Sequence, residues 1–141
     1  MALAAAPACG DDGNKAGSPG KKPKVKVPEG APPTALTMTD LIKGTGAEAV
    51  SGKKLSMQYV GVSYSDKKQF DASWDRGEPF TFTLGAGEVI KGWDQGVPGM
   101  KVGGRRMLII PPDLGYGARG APPDIKPNET LVFVIDLVSV S

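Results

Sequence analysis

Apolar and polar residues alternate over several short stretches of this chain, and the alternation predicts strands. Leu55, Met57 and Tyr59 alternate with Ser56 and Gln58, so residues 54–63 read as a half-buried strand. Phe80, Phe82 and Leu84 alternate with Thr81 and Thr83 and give another strand with one apolar face. Leu36, Met38 and the pair Leu41-Ile42 open a first strand, and Arg105 to Ile110 form one that stops at Pro111-Pro112. Leu131 to Val140 is nearly continuously apolar, the pattern of a central strand buried on both faces. Asp66-Lys67-Lys68 marks a turn. Residues 88–94 read as a short helix, with Val89, Ile90, Trp93 and Val97 on one side and Gly96-Val97-Pro98-Gly99 ending it. A loop over 111–129 is dense in glycine and proline. Antiparallel strands with one short helix packed on a face predict an α+β roll.

Residues 1–34 differ from the rest. Met1 to Cys9 is small and apolar, and the polar run Gly10-Asp11-Asp12-Gly13-Asn14-Lys15 follows. The switch reads as the end of a secretory signal with a small-residue cleavage site just before Cys9. It also resembles a bacterial lipoprotein signal, which implies lipidation of Cys9, a membrane tether and an extracytoplasmic location. The alternative is a disordered tail with an incidental cysteine. Gly17 to Pro33 is composed mainly of Gly, Pro, Lys and small residues, which predicts a solvated linker ahead of a domain over residues 35–141. The basic run Lys21-Lys22-Pro23-Lys24-Val25-Lys26 reads as part of that spacer.

Composition narrows the chemistry. The net charge is only +2, and no run of arginine is interleaved with aromatics, so nucleic acid is not an expected partner. There is no histidine and a single cysteine, which removes histidine-based metal sites and any internal disulfide. Gly85-Ala86-Gly87 lacks the third glycine of a dinucleotide loop, since Ile90 stands there. Gly52-Lys53 lacks the earlier glycine of a phosphate loop and is followed by Lys54 rather than Ser or Thr. Asp71 and Asp75 are two acids of a loop rather than a glycosidase pair. The aromatic residues Tyr59, Phe70, Phe80, Phe82, Trp93, Tyr116 and Phe133 are left as candidates to converge on one pocket. Each alone reads as ordinary core.

As an ordered set, the motifs resemble the FKBP family of peptidyl-prolyl cis-trans isomerases over about residues 35–141. The matching segments are Val60-Gly61, Gln69-Phe70-Asp71-Ala72-Ser73, Pro79-Phe80-Thr81-Phe82, Leu84-Gly85, Glu88-Val89-Ile90-Lys91-Gly92-Trp93, Val102-Gly103-Gly104-Arg105, Pro112-Asp113-Leu114-Gly115-Tyr116-Gly117 and Leu131-Val132-Phe133. The resemblance implies a half-open antiparallel sheet wrapped around one short helix. It makes Trp93 the floor of a proline pocket and Tyr59, Phe80, Val89, Ile90 and Phe133 its walls, with Glu88 and Ile125 among the residues that bind substrate. Phe70 and Asp71 form the rim over the twisting amide, and Arg76 orients Asp71. Tyr116 and the backbone N–H of Ile90 donate to substrate carbonyls. Ala121 and Asp124 depart from the bulky or apolar side chains often found in the family, which alters the pocket edge. The chain has neither the domain inserted after the Phe82 strand nor the dimerisation helix of some relatives, so a monomer is expected.

The implied reaction suits the inventory. Rotation about an X–Pro bond faces a barrier of about 18–20 kcal/mol, set by amide resonance. Crossing it needs no proton transfer, so no cofactor and no metal are expected. An apolar pocket favours the twisted, less charge-separated amide over the planar one. The expected partners are proline-containing polypeptides, and macrolides such as tacrolimus or rapamycin that mimic the twisted amide. The competing reading is a module that grips proline segments with little turnover.

Overall fold

The computed structural model describes residues 21–141. In chain order the elements are β1 (Thr37–Ile42), β2 (Lys54–Ser63), β3 (Gln69–Ala72), α1 (Ser73–Arg76), β4 (Phe80–Thr83), α2 (Lys91–Gly96), β5 (Arg105–Ile110), a 3-10 turn (Pro112–Leu114) and β6 (Leu131–Val140). All pairings are antiparallel, in the order β1-β5-β6-β2-β3. β4 lies on the same edge of β2 as β3: it pairs Lys54 to Met57, and β3 pairs Val60 to Val62. The apolar run of β6 is accordingly central, flanked by β5 and β2, and buried from Leu131 to Leu137.

The sheet has two apolar faces. On its inner face Leu55, Met57, Tyr59, Leu108, Ile110, Phe133 and Ile135 pack around Trp93 and Val97 from the helical segment. Glycine lets α2 come close: a Cβ on Gly92 would lie 2.5 Å from Ile110, and one on Gly96 would lie 2.9 Å from Leu108. On the outer face Val60, Val62, Tyr64, Ala72, Ile109 and Val132 form a second cluster.

Two expectations are corrected here. The helix begins at Lys91 and not at residue 88, because the preceding loop is fixed differently. Gly85 and Gly87 have φ of 81° and 74°, Glu88 Oε1 accepts the Thr83 N–H, and Asp94 accepts the N–H groups of Gly85 and Gly87 at 2.9 and 3.2 Å. Nor are residues 21–34 solvated throughout. Val27 is buried in the outer cluster and Val25 packs against it, while Lys22, Lys24 and Lys26 point outward. Burying a valine side chain contributes roughly 1.5–3 kcal/mol toward holding this segment on the sheet. Arg105 Nη2 also donates to the Lys21 carbonyl at 2.7 Å, and the Tyr64 hydroxyl donates to the Gly30 carbonyl at 3.1 Å. Cys9 and the apolar start of the chain lie outside the described residues.

Candidate active site

Trp93 is the centre of an aromatic cup. Its ring lies 5.1 Å from Tyr59, 5.3 Å from Phe133, 5.7 Å from Phe82 and 6.1 Å from Phe80, measured between centroids. Tyr59, Phe80 and Phe133 meet it edge to face, the arrangement that aromatic quadrupoles favour. Its indole N–H is buried and has no oxygen or nitrogen partner among the described residues, as expected of a group enclosed by rings. Val89 and Ile90 are half-buried and pack on the same cluster, to which Ile125 also belongs. Ile125 is held by reciprocal backbone hydrogen bonds with Ala121, across a loop that contains a cis Pro122-Pro123 bond. Phe70 stands edge-on to Phe133 at 5.5 Å.

The polar rim is built where β2 loses its edge partner. Between the stretches paired by β4 and by β3, the Tyr59 N–H donates to Ser73 Oγ at 2.7 Å, and Ser73 Oγ–H donates to Gln58 Oε1. Ser73 is fully buried and so pins α1 to β2. Asp71 and Arg76 flank it in sequence. The Tyr59 hydroxyl donates to Asp71 Oδ2 at 2.5 Å, Arg76 Nη1 donates to Asp71 Oδ1 at 2.5 Å, and Arg76 Nη2 donates to the Tyr59 hydroxyl at 2.8 Å. The three groups therefore form a closed triangle. Burial, and then the Asp71 carboxylate that accepts its proton, push the Tyr59 hydroxyl up to about 12. Tyr116 is 41% exposed, and its hydroxyl is also raised, by partial burial and then by the charge of Asp71. The Ile90 N–H donates to no acceptor among the described residues. Glu88 is exposed, and its carboxylate is committed to Thr83 in closing the loop.

Sequence reasoning assigned Tyr59 to the pocket wall and did not anticipate its hydroxyl in the rim. It also passed over Ser73, Gln58 and Asp94. The available signal was modest: Gln58 and Asp94 are polar residues directly beside expected pocket residues, and Ser73 is two positions after Asp71.

Among the described residues, the aromatic cup around Trp93 and the triangle of Tyr59, Asp71 and Arg76 are joined through Tyr59. The family described as FKBP-type peptidyl-prolyl cis-trans isomerase matches residues 46–138. An "FK506-binding protein" of Streptomyces anulatus is 57% identical over 121 residues, covering 85% of this chain and 98% of that protein. A "Probable FK506-binding protein" of Corynebacterium glutamicum is 46% identical, covering 84% and 98%. The Streptomyces match is longer than the stretch 35–141 and so reaches into the segment before Ala35. The crystal structure of AtFKBP13 superposes with a TM-score of 0.71 at 43% identity, covering 78% of this chain and 96% of that one. The chain belongs to the FKBP-type peptidyl-prolyl cis-trans isomerases, and catalysing rotation about X–Pro bonds is its activity.

Two predictions arise from the rim. If the Tyr116 hydroxyl donates to a substrate carbonyl, as proposed below, Tyr116→Phe removes one hydrogen bond worth about 0.5–1.5 kcal/mol, so turnover should fall roughly threefold to tenfold and not vanish. Asp71→Leu should likewise leave residual activity, because shape and desolvation carry most of the effect. Peptide exchange rates measured by NMR check both, and complete loss in a folded variant would contradict the desolvation argument. A further prediction concerns pH. A tyrosine whose folded value is raised from 10.0 to about 12 contributes stability that is complete below pH 10 and is lost as pH rises through about 12. Urea midpoints should therefore fall over that window in the native protein, and fall less in Tyr59→Phe.

Proposed function

We propose that a prolyl ring seats on Trp93 between Tyr59, Phe80, Val89, Ile90, Ile125 and Phe133. Phe70 and Asp71 lie over the amide, the Ile90 N–H and the Tyr116 hydroxyl donate to substrate carbonyls, and Arg76 holds Asp71 in place. Glu88 presents its main-chain carbonyl to ligand, since its side chain is engaged. The substrates are proline-containing segments of incompletely folded polypeptides. Macrolides of the FK506 type occupy the same cup. The observation that carries this reading is the cup itself: a tryptophan ringed by Tyr59, Phe80 and Phe133, with Asp71 and Arg76 paired beside Tyr59. Exchange NMR on a short X–Pro peptide tests it. Cis/trans exchange should accelerate on adding the protein without metal or nucleotide, and a tacrolimus-like ligand should suppress the gain. Unaccelerated exchange at high protein concentration would leave a binding module instead.

The same reading takes the protein as a monomer outside the cytoplasm, tethered through a lipidated Cys9. Its support is the apolar-to-polar switch around Cys9. Intact mass after expression in a lipidating bacterial host checks it, and a Cys9→Ser variant should lose both the added mass and membrane fractionation.

A further inference from the structure

The rim segment has two faces. Asp71 and Arg76 turn toward Tyr59, while Ala72 is buried in the outer cluster and Trp74 packs against it. That cluster is where Val27 is buried and Val25 packs. Asp75, next to Arg76, accepts from Lys22 Nζ at 2.8 Å and from Gln69 Nε2 at 2.8 Å. The hydrogen bonds to Lys22 and then to Gln69 hold the Asp75 carboxyl below its ordinary range. Residues 22–27 thus back the short stretch that carries the charged triangle, from the side opposite the cup. On the cup side the stretch is held by its pairing with β2 and by Ser73, while α1 itself is a single turn of four residues whose N-terminus has no side-chain cap, and β3 is four residues long.

We propose that Val27 and Lys22 are positioning residues of the isomerase site, acting through β3 and α1 to hold Arg76 and Asp71 against Tyr59. The inference rests on the reading of Asp71 and Arg76 as the catalytic rim. Val27 is the anchor, because it is only 6% exposed. Lys22 is a weaker tether, because both members of its ion pair are 40–50% exposed. Loosening the segment leaves the aromatic cup on α2 and β6 intact and frees the rim alone. The turnover number should therefore suffer more than the Michaelis constant.

The test uses the full chain in three variants, Val27→Asp, Val27→Ile and Lys22→Gln. Amide signals of residues 22–27 report whether the segment has left the sheet, and the guanidinium signals of Arg76 report the triangle. Val27→Asp should release the segment, shift the Arg76 signals toward those of a free guanidinium and lower kcat about tenfold, well within what a misplacement of about 1 Å can cost. Val27→Ile should retain the Arg76 signals and the turnover. Lys22→Gln should move both readouts the same way, by about twofold in kcat, in keeping with an exposed pair. Native Arg76 signals and native kcat in a Val27→Asp protein whose segment is free would overturn the proposal. Should Val27→Asp fail to fold, native values of both readouts in Lys22→Gln would overturn it. A native chain that does not accelerate exchange would count against the rim's catalytic role, while the Arg76 signals would still decide the positioning claim.

Discussion

Replacing Arg105 by alanine is expected to destabilise the protein by about 3–5 kcal/mol, the cost of removing one member of a buried ion pair. Arg105 on β5 and Asp136 on β6 are cross-strand partners in register. The guanidinium donates twice to the carboxylate, at 2.6 and 2.9 Å, with side-chain exposures of 1% and 10%. Alanine removes the cation and leaves the Asp136 carboxylate in a place where water reaches it poorly. It also removes the donor to the Lys21 carbonyl. Urea unfolding measures the effect. The double replacement Arg105→Met and Asp136→Leu should recover most of the loss, since an apolar pair of similar volume leaves no charge stranded. A loss below about 1 kcal/mol in Arg105→Ala would mean that the pair behaves as a screened surface pair.

Arg105 also shows where sequence reasoning reached its limit. The strand from Arg105 to Ile110 was legible from its apolar run and its proline stop, and so was the central strand from Leu131 to Val140. Both are local patterns with a period. Partnership between Arg105 and Asp136 depends on register between strands far apart in sequence, and no local pattern records it. The bonds of Ser73 to Gln58 and Tyr59 join separate elements in the same way, whereas those of Asp94 to Gly85 and Gly87 depend on the positive-φ geometry of one loop, which apolar periodicity does not record. The helix start was misplaced by three residues because apolar periodicity continues through Val89 and Ile90, whereas the glycines before them take positive φ and delay the turn.

The N-terminal segment teaches a different lesson. Lys22-Pro23-Lys24-Val25-Lys26-Val27 alternates charged and apolar residues with the period of an extended strand. Its proline and lysine content outweighed that signal and gave a solvated spacer. In the structure the period prevails: Pro23 and Val25 are half-buried, Val27 is buried and the lysines are exposed. The aromatic cup was legible as a set, since the ordered motifs carry it. The triangle at its lip was legible only in part, because the Tyr59 hydroxyl meets Asp71 of β3 and Arg76 of α1 across separate elements, which no single-strand pattern displays.

Gly61→Ala is expected to lower turnover about tenfold to a hundredfold, by displacing the rim rather than unfolding the domain. Gly61 lies on β2 between Asp71 of β3 and Phe133 of β6, its partners in register on either side. A Cβ there would stand 2.6 Å from Phe70 Cζ and 2.7 Å from Phe133 Cε1, closer than carbon atoms approach without contact repulsion. Phe133 is only 4% exposed and packs against Trp93 and Tyr59, so it has nowhere to go. Phe70 is half-buried and can swing outward. The strain therefore resolves by moving Phe70, which keeps the stability loss near the lower end of the roughly 1–3 kcal/mol that overpacking costs. Moving Phe70 also opens the lip proposed to lie over the prolyl amide and disturbs Asp71 beside it. The check pairs urea unfolding with peptide exchange by NMR, in Gly61→Ala, Phe70→Leu and the double variant. If the two side chains compete for one space, the double variant should be more stable than the sum of the single losses implies, with a coupling of about 0.5–3 kcal/mol. Additive losses, or native turnover in Gly61→Ala, would show that the rings have slack and that glycine at this position does not shape the pocket.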